Sequence, residues 1–377
     1  MSSKKSGRVF QTACVTMGLL LAATSLWAHH VPEAKFDPNQ QVTLRGSISK
    51  VDWLNPHVHL FMEVANGSAV ISWAVELESV IDLKRNGWTS DTVKVGDAIT
   101  VRGMTARDGS RQIWGNSVTL DRTAQRVFTV SPPKPPVYAQ ASAPTPRWPD
   151  GQPRLGPPPG QIGGYWDFPS ASSLVETGVS VEMDSHGLLR NLDDAAKVAP
   201  FQQWALDLYK FRQRNFLIDD PMFVDCKTQA GPRIFQRPYG VVFVEERDHK
   251  RIRNFWGAGN GNWRSIFLDG REQTGTQDGN ADDPLYWGHA VGKWEGDTLV
   301  IDTAGFNDRF WFSNGGLPHT PQLHLIERYS RPDMNTLLYQ VTIDDPGAYT
   351  RTWTASWTLK WVPNEEIPVY FCQDNRP

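Results

Sequence analysis

The chain has 377 residues, 40% hydrophobic and 21% charged, a globular make-up too long for one ordinary core, so two domains are expected. Its formal net charge of −3 excludes the basic face that a nucleic-acid partner requires. The 16 Trp residues point to strands, stacking surfaces or an aromatic-lined cavity, and the filling of β-cores accounts for most of them.

Residues 1–28 have the pattern of a secretory signal. Lys4, Lys5 and Arg8 precede an apolar run over 13–27, and Ala28 precedes a polar start at His29. The run is too short for a comfortable membrane span, so no stable membrane insertion is expected. Export to the periplasm follows, and Cys14 leaves with the signal. Cys226 and Cys372 remain, and an oxidising compartment makes a single pairing possible. That disulfide would close a loop of about 145 residues, worth roughly 4–5 kcal/mol at most. Two buried free thiols are the alternative.

Residues 29–125 read as an OB-fold-like domain. QVTLRGSISKVDW, HVHLFMEV and AVISWAVEL alternate as strands, SVIDLKRNG reads as a helix stopped by Gly87, and VGDAITVRGMTA and RQIWGNSVTL supply two more strands. Residues 126–164 are dense in proline and predict an extended linker. Residues 165–377 predict a lipocalin-like antiparallel β-barrel or meander with one amphipathic helix. Within it, 165–194 are weakly patterned. The helix spans 199–216, with Phe201, Trp204, Ala205, Leu208, Phe211 and Phe216 as its apolar stripe. Strands follow at RIFQ, GVVFVEE, RIRNFW, WRSIFL, LHLIERY, LLYQVTI, TWTASWTLKW and VYFC. WGHAVGKW and TLVIDT form a hairpin about the WEGD turn, where Gly296 supplies an inexpensive positive φ. The chain is thus predominantly β.

Three groups of residues carry candidate chemistry. An N-terminal amine at His29 with imidazoles of His29, His30, His57 and His59 suits Cu(II), although a frayed tail with His57 and His59 in ordinary polar contacts is the plainer reading. His289, His319 and His324, with Asp302 or Glu327 orienting one of them, offer acid/base chemistry near neutral pH. Parity places Glu327 and His324 on opposite faces of one strand, which weighs against a simple zinc site. Trp287, Trp294 and Trp353 are candidate apolar wall, and Arg328, Tyr349 and Arg351 candidate ligand contacts. DDPGAYTRTWT also reads as a plain hairpin turn. There is no P-loop, dinucleotide fingerprint, GxSxG, HExxH or CxxC, which argues against chemistry built on those motifs.

The segment HHVPEAKFDPNQQVTLRGSISKVDWLNPHVHLFMEV resembles an exported bacterial domain of unknown function. WGHAVGKWEGDTLVIDTAGFND, PHTPQLHLIERY and TIDDPGAYTRTW resemble the C-terminal part of uncharacterised exported proteins, mostly of Gram-negative bacteria. Members often carry His-Ser where this chain has His30-Val31. The resemblance implies export and two domains, and no activity.

The expectation is a periplasmic protein that binds a small apolar or aromatic molecule in its C-terminal barrel. Cofactor-free chemistry of lyase, hydratase or isomerase type there would be acid/base chemistry and would require no cofactor. The alternatives are a copper-binding protein and a non-catalytic scaffold for a glycan or protein. The oligomeric state is not legible.

Overall fold

The computed structural model describes residues 32–54, 57–129, 143–167, 174–184, 187–215, 220–222, 226–235, 240–257, 262–275 and 285–367. Two sheets dominate it. The first contains β1 (Phe36–Asp52), β2 (His59–Asn66), β3 (Ala69–Glu76), β4 (Ala98–Ala106), β5 (Gln112–Leu120) and β6 (Gln125–Thr129), ordered β3-β2-β1-β4-β5-β6. A parallel pairing of β3 with β5, Ala74 opposite Gln112, closes the first five strands into a ring, the connectivity of an OB barrel. A short helix, α1 (Pro32–Lys35), precedes β1, and α2 (Val80–Arg85) lies between β3 and β4. The Ser79 hydroxyl accepts the Asp82 N–H at 3.1 Å to cap α2, and Gly87 at φ +87° ends the turn that follows it. Leu60, Val75, Leu77, Leu83, Ile99 and Val101 fill the ring.

The second sheet is a closed barrel of nine strands: β7 (Gly164–Asp167), β8 (Val241–Glu246), β9 (Arg251–Trp256), β10 (Trp263–Phe267), β11 (His289–Glu295), β12 (Thr298–Ala304), β13 (His324–Asp333), β14 (Thr336–Asp344) and β15 (Trp353–Pro363). The hairpin of β11 and β12 turns at Gly296, φ +60°. One pairing departs from the expected antiparallel pattern. β10 and β11 run parallel, Ile266 opposite Ala290, because the connection over 268–288 is long enough to return the chain to the same end. Strand β7 lies at the start of the weakly patterned stretch, and its side chains are buried on both faces, so it shows no alternation.

The segment containing RIF is a 3₁₀ turn, Gly231–Ile234, rather than a strand, with Pro232 inside it and Gly231 at φ +60°. VYFC lies outside the described residues. From residue 143 the proline-rich stretch lies on the barrel. Pro144 bridges Asp333, the Thr145 hydroxyl donates to the Arg331 carbonyl at 2.7 Å, and Leu155 is fully buried.

α3 (Ala195–Val198), α4 (Gln203–Arg214), the 3₁₀ turn and residues 305–323 cover one end of the barrel. The apolar stripe assigned to α4 is out of phase. Ala205, Tyr209 and Gln213 face inward, while Trp204 and Phe211 are 46% and 48% exposed. Gln213 is drawn in because its amide nitrogen donates to the Gly315 carbonyl at 2.6 Å, and its carbonyl accepts from Leu189 N–H at 2.8 Å. Phe201 still packs, stacked on Tyr209 at 5.3 Å; Phe216 lies outside the described residues.

Candidate functional site

The alternation of β13 sorts the sequence candidates between two faces of the barrel wall. Leu325, Glu327 and Tyr329 are buried inside, whereas His324, Ile326 and Arg328 face out. His324 and Asp302 meet on the outer face, Nε2 lying 2.8 Å from Oδ1, with both side chains 38% exposed. His289 shares that face on β11, opposite Ala304. Its carbonyl and that of Asp302 both accept from the Gln273 amide, at 2.6 and 2.8 Å.

His319 is elsewhere. It is buried in the connection between β12 and β13, 4.2 Å from the Phe310 ring, with Nε2 3.0 Å from the Phe310 carbonyl oxygen and Nδ1 3.3 Å from that of Thr320. Burial lowers its pKa below the ordinary imidazole value, against the pull of those carbonyls. The expected trio of histidines therefore does not converge, and Glu327 cannot orient any of them through the wall.

Of the remaining candidates, Arg328 pairs outside with Glu295 at 2.9 Å, and Arg351 is exposed and held by both carboxylate oxygens of Glu176. Tyr349 and Trp353 are buried side by side, 5.3 Å apart, with the Tyr349 hydroxyl donating to the Pro318 carbonyl. These two are core rather than pocket mouth, because the turn before them is folded under. Asp345 accepts from the Thr320 hydroxyl and N–H and anchors the turn to the cap. Trp294 packs partly buried against the core.

Glu327 has different partners. Its carboxylate receives a fork from Arg264, Nη1 to Oε2 at 2.6 Å and Nη2 to Oε1 at 3.0 Å. The Tyr339 and Tyr329 hydroxyls donate to Oε1 at 3.1 and 3.3 Å. Burial alone would lower the Arg264 pKa, but Glu327 opposite raises it above the ordinary value. Burial, and then the Glu327 charge, push both tyrosines well above the phenol range. The ion pair is thus fixed as charged, and the phenols as neutral donors.

Around this pair the interior is aromatic. Arg264 lies 5.5 Å from the Trp256 ring centroid, Trp256 stacks on Trp287 at 4.4 Å and 7°, and Phe235 enters from the cap to lie 4.6 Å from Tyr339. Asn254, opposite Arg264 on β9, accepts from Arg264 Nε at 3.3 Å. Its amide nitrogen and the Trp256 indole nitrogen are buried donors with no acceptor among the described residues. Sequence reading placed Trp287 correctly as wall and Glu327 as inward. It missed Arg264, Asn254, Trp256 and Tyr339, all signalled only by strand parity in RIRNFW, WRSIFL and LLYQVTI.

The candidate metal ligands fall in the first sheet. His57 Nδ1 lies 2.6 Å from Glu76 Oε1, His59 Nε2 3.7 Å from Oε2, and Lys35 Nζ donates to Oε2 at 3.3 Å. Phe36, fully buried beside Trp114, ties the start of the described chain to this cluster. His29 and His30 lie outside the described residues. Among the described residues no set of three or more His, Cys, Asp or Glu has metal-holding geometry. Cys226 is buried, and Cys372 lies outside the described residues.

Fold and site together define a mostly β protein with an OB-connected sheet and a closed barrel whose polar groups are turned inward. Residues 17–114 match a family of unknown function (DUF6152), a stretch that ends within β5 and leaves the barrel unmatched. No curated protein matches the chain.

Proposed function

We propose that this is an exported, periplasmic protein whose barrel binds a small, uncharged, largely aromatic molecule carrying a hydrogen-bond acceptor. The observation that carries the reading is the pair of unmatched donors, Asn254 Nδ2 and Trp256 Nε1, buried beside a neutralised Arg264–Glu327 pair. A buried donor left without an acceptor costs about 1–3 kcal/mol, so an acceptor delivered there is strongly favoured. A carboxylate ligand is disfavoured, because Glu327 already neutralises Arg264. The stacked Trp256 and Trp287 rings favour a flat apolar body. Both oxygens of Glu327 are occupied, which makes it a positioning group rather than a free base. The reading is therefore binding, and the acid/base role expected of His289, His319 and His324 is not carried into it.

The test is native mass spectrometry on protein exported through its own signal. An organic mass should co-purify with the wild type and be depleted in Trp256→Phe, which keeps the ring and removes the donor. Retention of that mass in both Trp256→Phe and Asn254→Leu would falsify the reading.

A second reading, copper binding through the His29 amine with His30, His57 and His59, is favoured by one observation. Glu76 draws His57 and His59 together, and Lys35 brings the start of the described chain to the same carboxylate. A carboxylate on one ring nitrogen orients the other toward a metal. One extra residue before His29 should lower Cu(II) affinity sharply; equal affinity rules copper out.

A further inference from the structure

Outside the barrel wall, a cleft of about 540 Å³ lies between residues 148–164, the outer face of β8 and β9, and residues 365–367. That volume is typical of small-molecule sites, which span roughly 300–1,000 Å³. Its walls are apolar. Val242 and Val244 of β8 and Phe255 of β9 face out here, and Ile162 on the opposing segment is 97% exposed. An aliphatic side chain held this far into water beside an exposed Val244 gains by covering.

The charges at the cleft are unequal. Glu245 is saturated by the Leu155 and Gly156 N–H groups and the Trp148 indole. Arg154 is laid over the Trp148 ring, its guanidinium carbon 3.9 Å from the centroid. Glu365 and Glu366 are exposed at the other side of the opening. Glu365 accepts only a 3.3 Å bond from the Tyr165 hydroxyl, and Glu366 has no ion-pair partner among the described residues.

We propose that this cleft binds a small organic cation, an ammonium or guanidinium group on an alkyl or aryl body. The apolar body would cover Ile162, Val244 and Phe255 while the cationic head lies between the Glu365 and Glu366 carboxylates. An anion of the same shape meets two carboxylates, and a neutral apolar molecule leaves them unused. The site is separate from the barrel interior, since Val242 and Val244 face away from the Phe243 side chain that packs inside.

The test is titration calorimetry of the full chain with octylammonium against octanoate at low and high salt. Octylammonium is expected to bind at one site, with octanoate at least about tenfold weaker and the preference reduced by salt screening. E365Q/E366Q, which changes only exposed side chains, should weaken octylammonium roughly three- to tenfold. Val244→Ser should weaken it as well while keeping the preference for the cation. Equal binding of the two amphiphiles, full affinity in E365Q/E366Q, or no binding of octylammonium would each overturn the proposal.

Discussion

The Arg264–Glu327 pair sits where water cannot screen it, with side chains 5% and 4% exposed, so its two halves are not separable. Removing one leaves the other as an uncompensated buried charge, which costs about 3–5 kcal/mol. Arg264→Met and Glu327→Leu should each lower stability by that amount in urea denaturation. The double variant should recover most of the loss, since an apolar pair of similar volume suits the aromatic surroundings. Additive losses in the double variant would show that the pair is not coupled. His319 offers a test in pH. Its native pKa is below the unfolded value of about 6.5, so the unfolded chain takes up a proton first as pH falls. The contribution of neutral His319 is complete above about pH 6.5 and is lost as pH drops toward the native pKa. Between pH 7.5 and 5 the urea midpoint of the wild type should fall more steeply than that of His319→Gln, and parallel curves would refute the linkage.

Elements close on one another through residues that have no room for a side chain. A Cβ on Gly103 of β4 would lie 2.0 Å from the Trp114 carbonyl oxygen, and the register of β4 against β5 shifts at that point. Gly103→Ala must part the two strands that complete the OB ring, so a loss of about 1–3 kcal/mol is expected by thermal denaturation. An unchanged melting temperature would mean the sheet absorbs the shift elsewhere. The same level shows what the sequence could reveal. Strands with one wet face, such as β13 and β14, announce themselves by alternation, and their parity put Glu327 inside the barrel wall. Strand β7 and the buried face of α4 do not, because β7 is covered on both sides and Gln213 is held in by backbone carbonyls that no periodicity encodes. The partners of Glu327 were hidden for a related reason. Arg264 and Tyr339 are 63 and 12 positions away along the chain, and only the closure of the barrel brings them to one carboxylate.

Across the whole molecule, two links join parts distant in sequence. Arg85 of α2 donates to the Tyr165 hydroxyl at 2.8 Å, and Tyr165 donates to Glu365 at 3.3 Å, which connects the first sheet to β7 and to the chain beyond β15. The second link is the proposed Cys226–Cys372 bond. Cys226 is buried and disulfide-bonded at φ +52°, in the cap segment just after Asp220, whose carboxylate takes both guanidinium nitrogens of Arg233. A bond from there to Cys372 would enclose β8 to β15 and fasten the cap, which carries Phe235 into the barrel, to the end of the chain. Such a loop of about 145 residues restricts the unfolded chain more than the folded one, by roughly 4–5 kcal/mol at most. Reduction should therefore lower the urea midpoint of the wild type and leave the Cys226→Ser/Cys372→Ser variant unmoved at its own lower value. Because the lost constraint acts on the cap, Trp256 fluorescence should shift before strand content changes. Two reactive thiols in unfolded, never-reduced protein would overturn the pairing, and with it the strongest chemical support for an oxidising compartment.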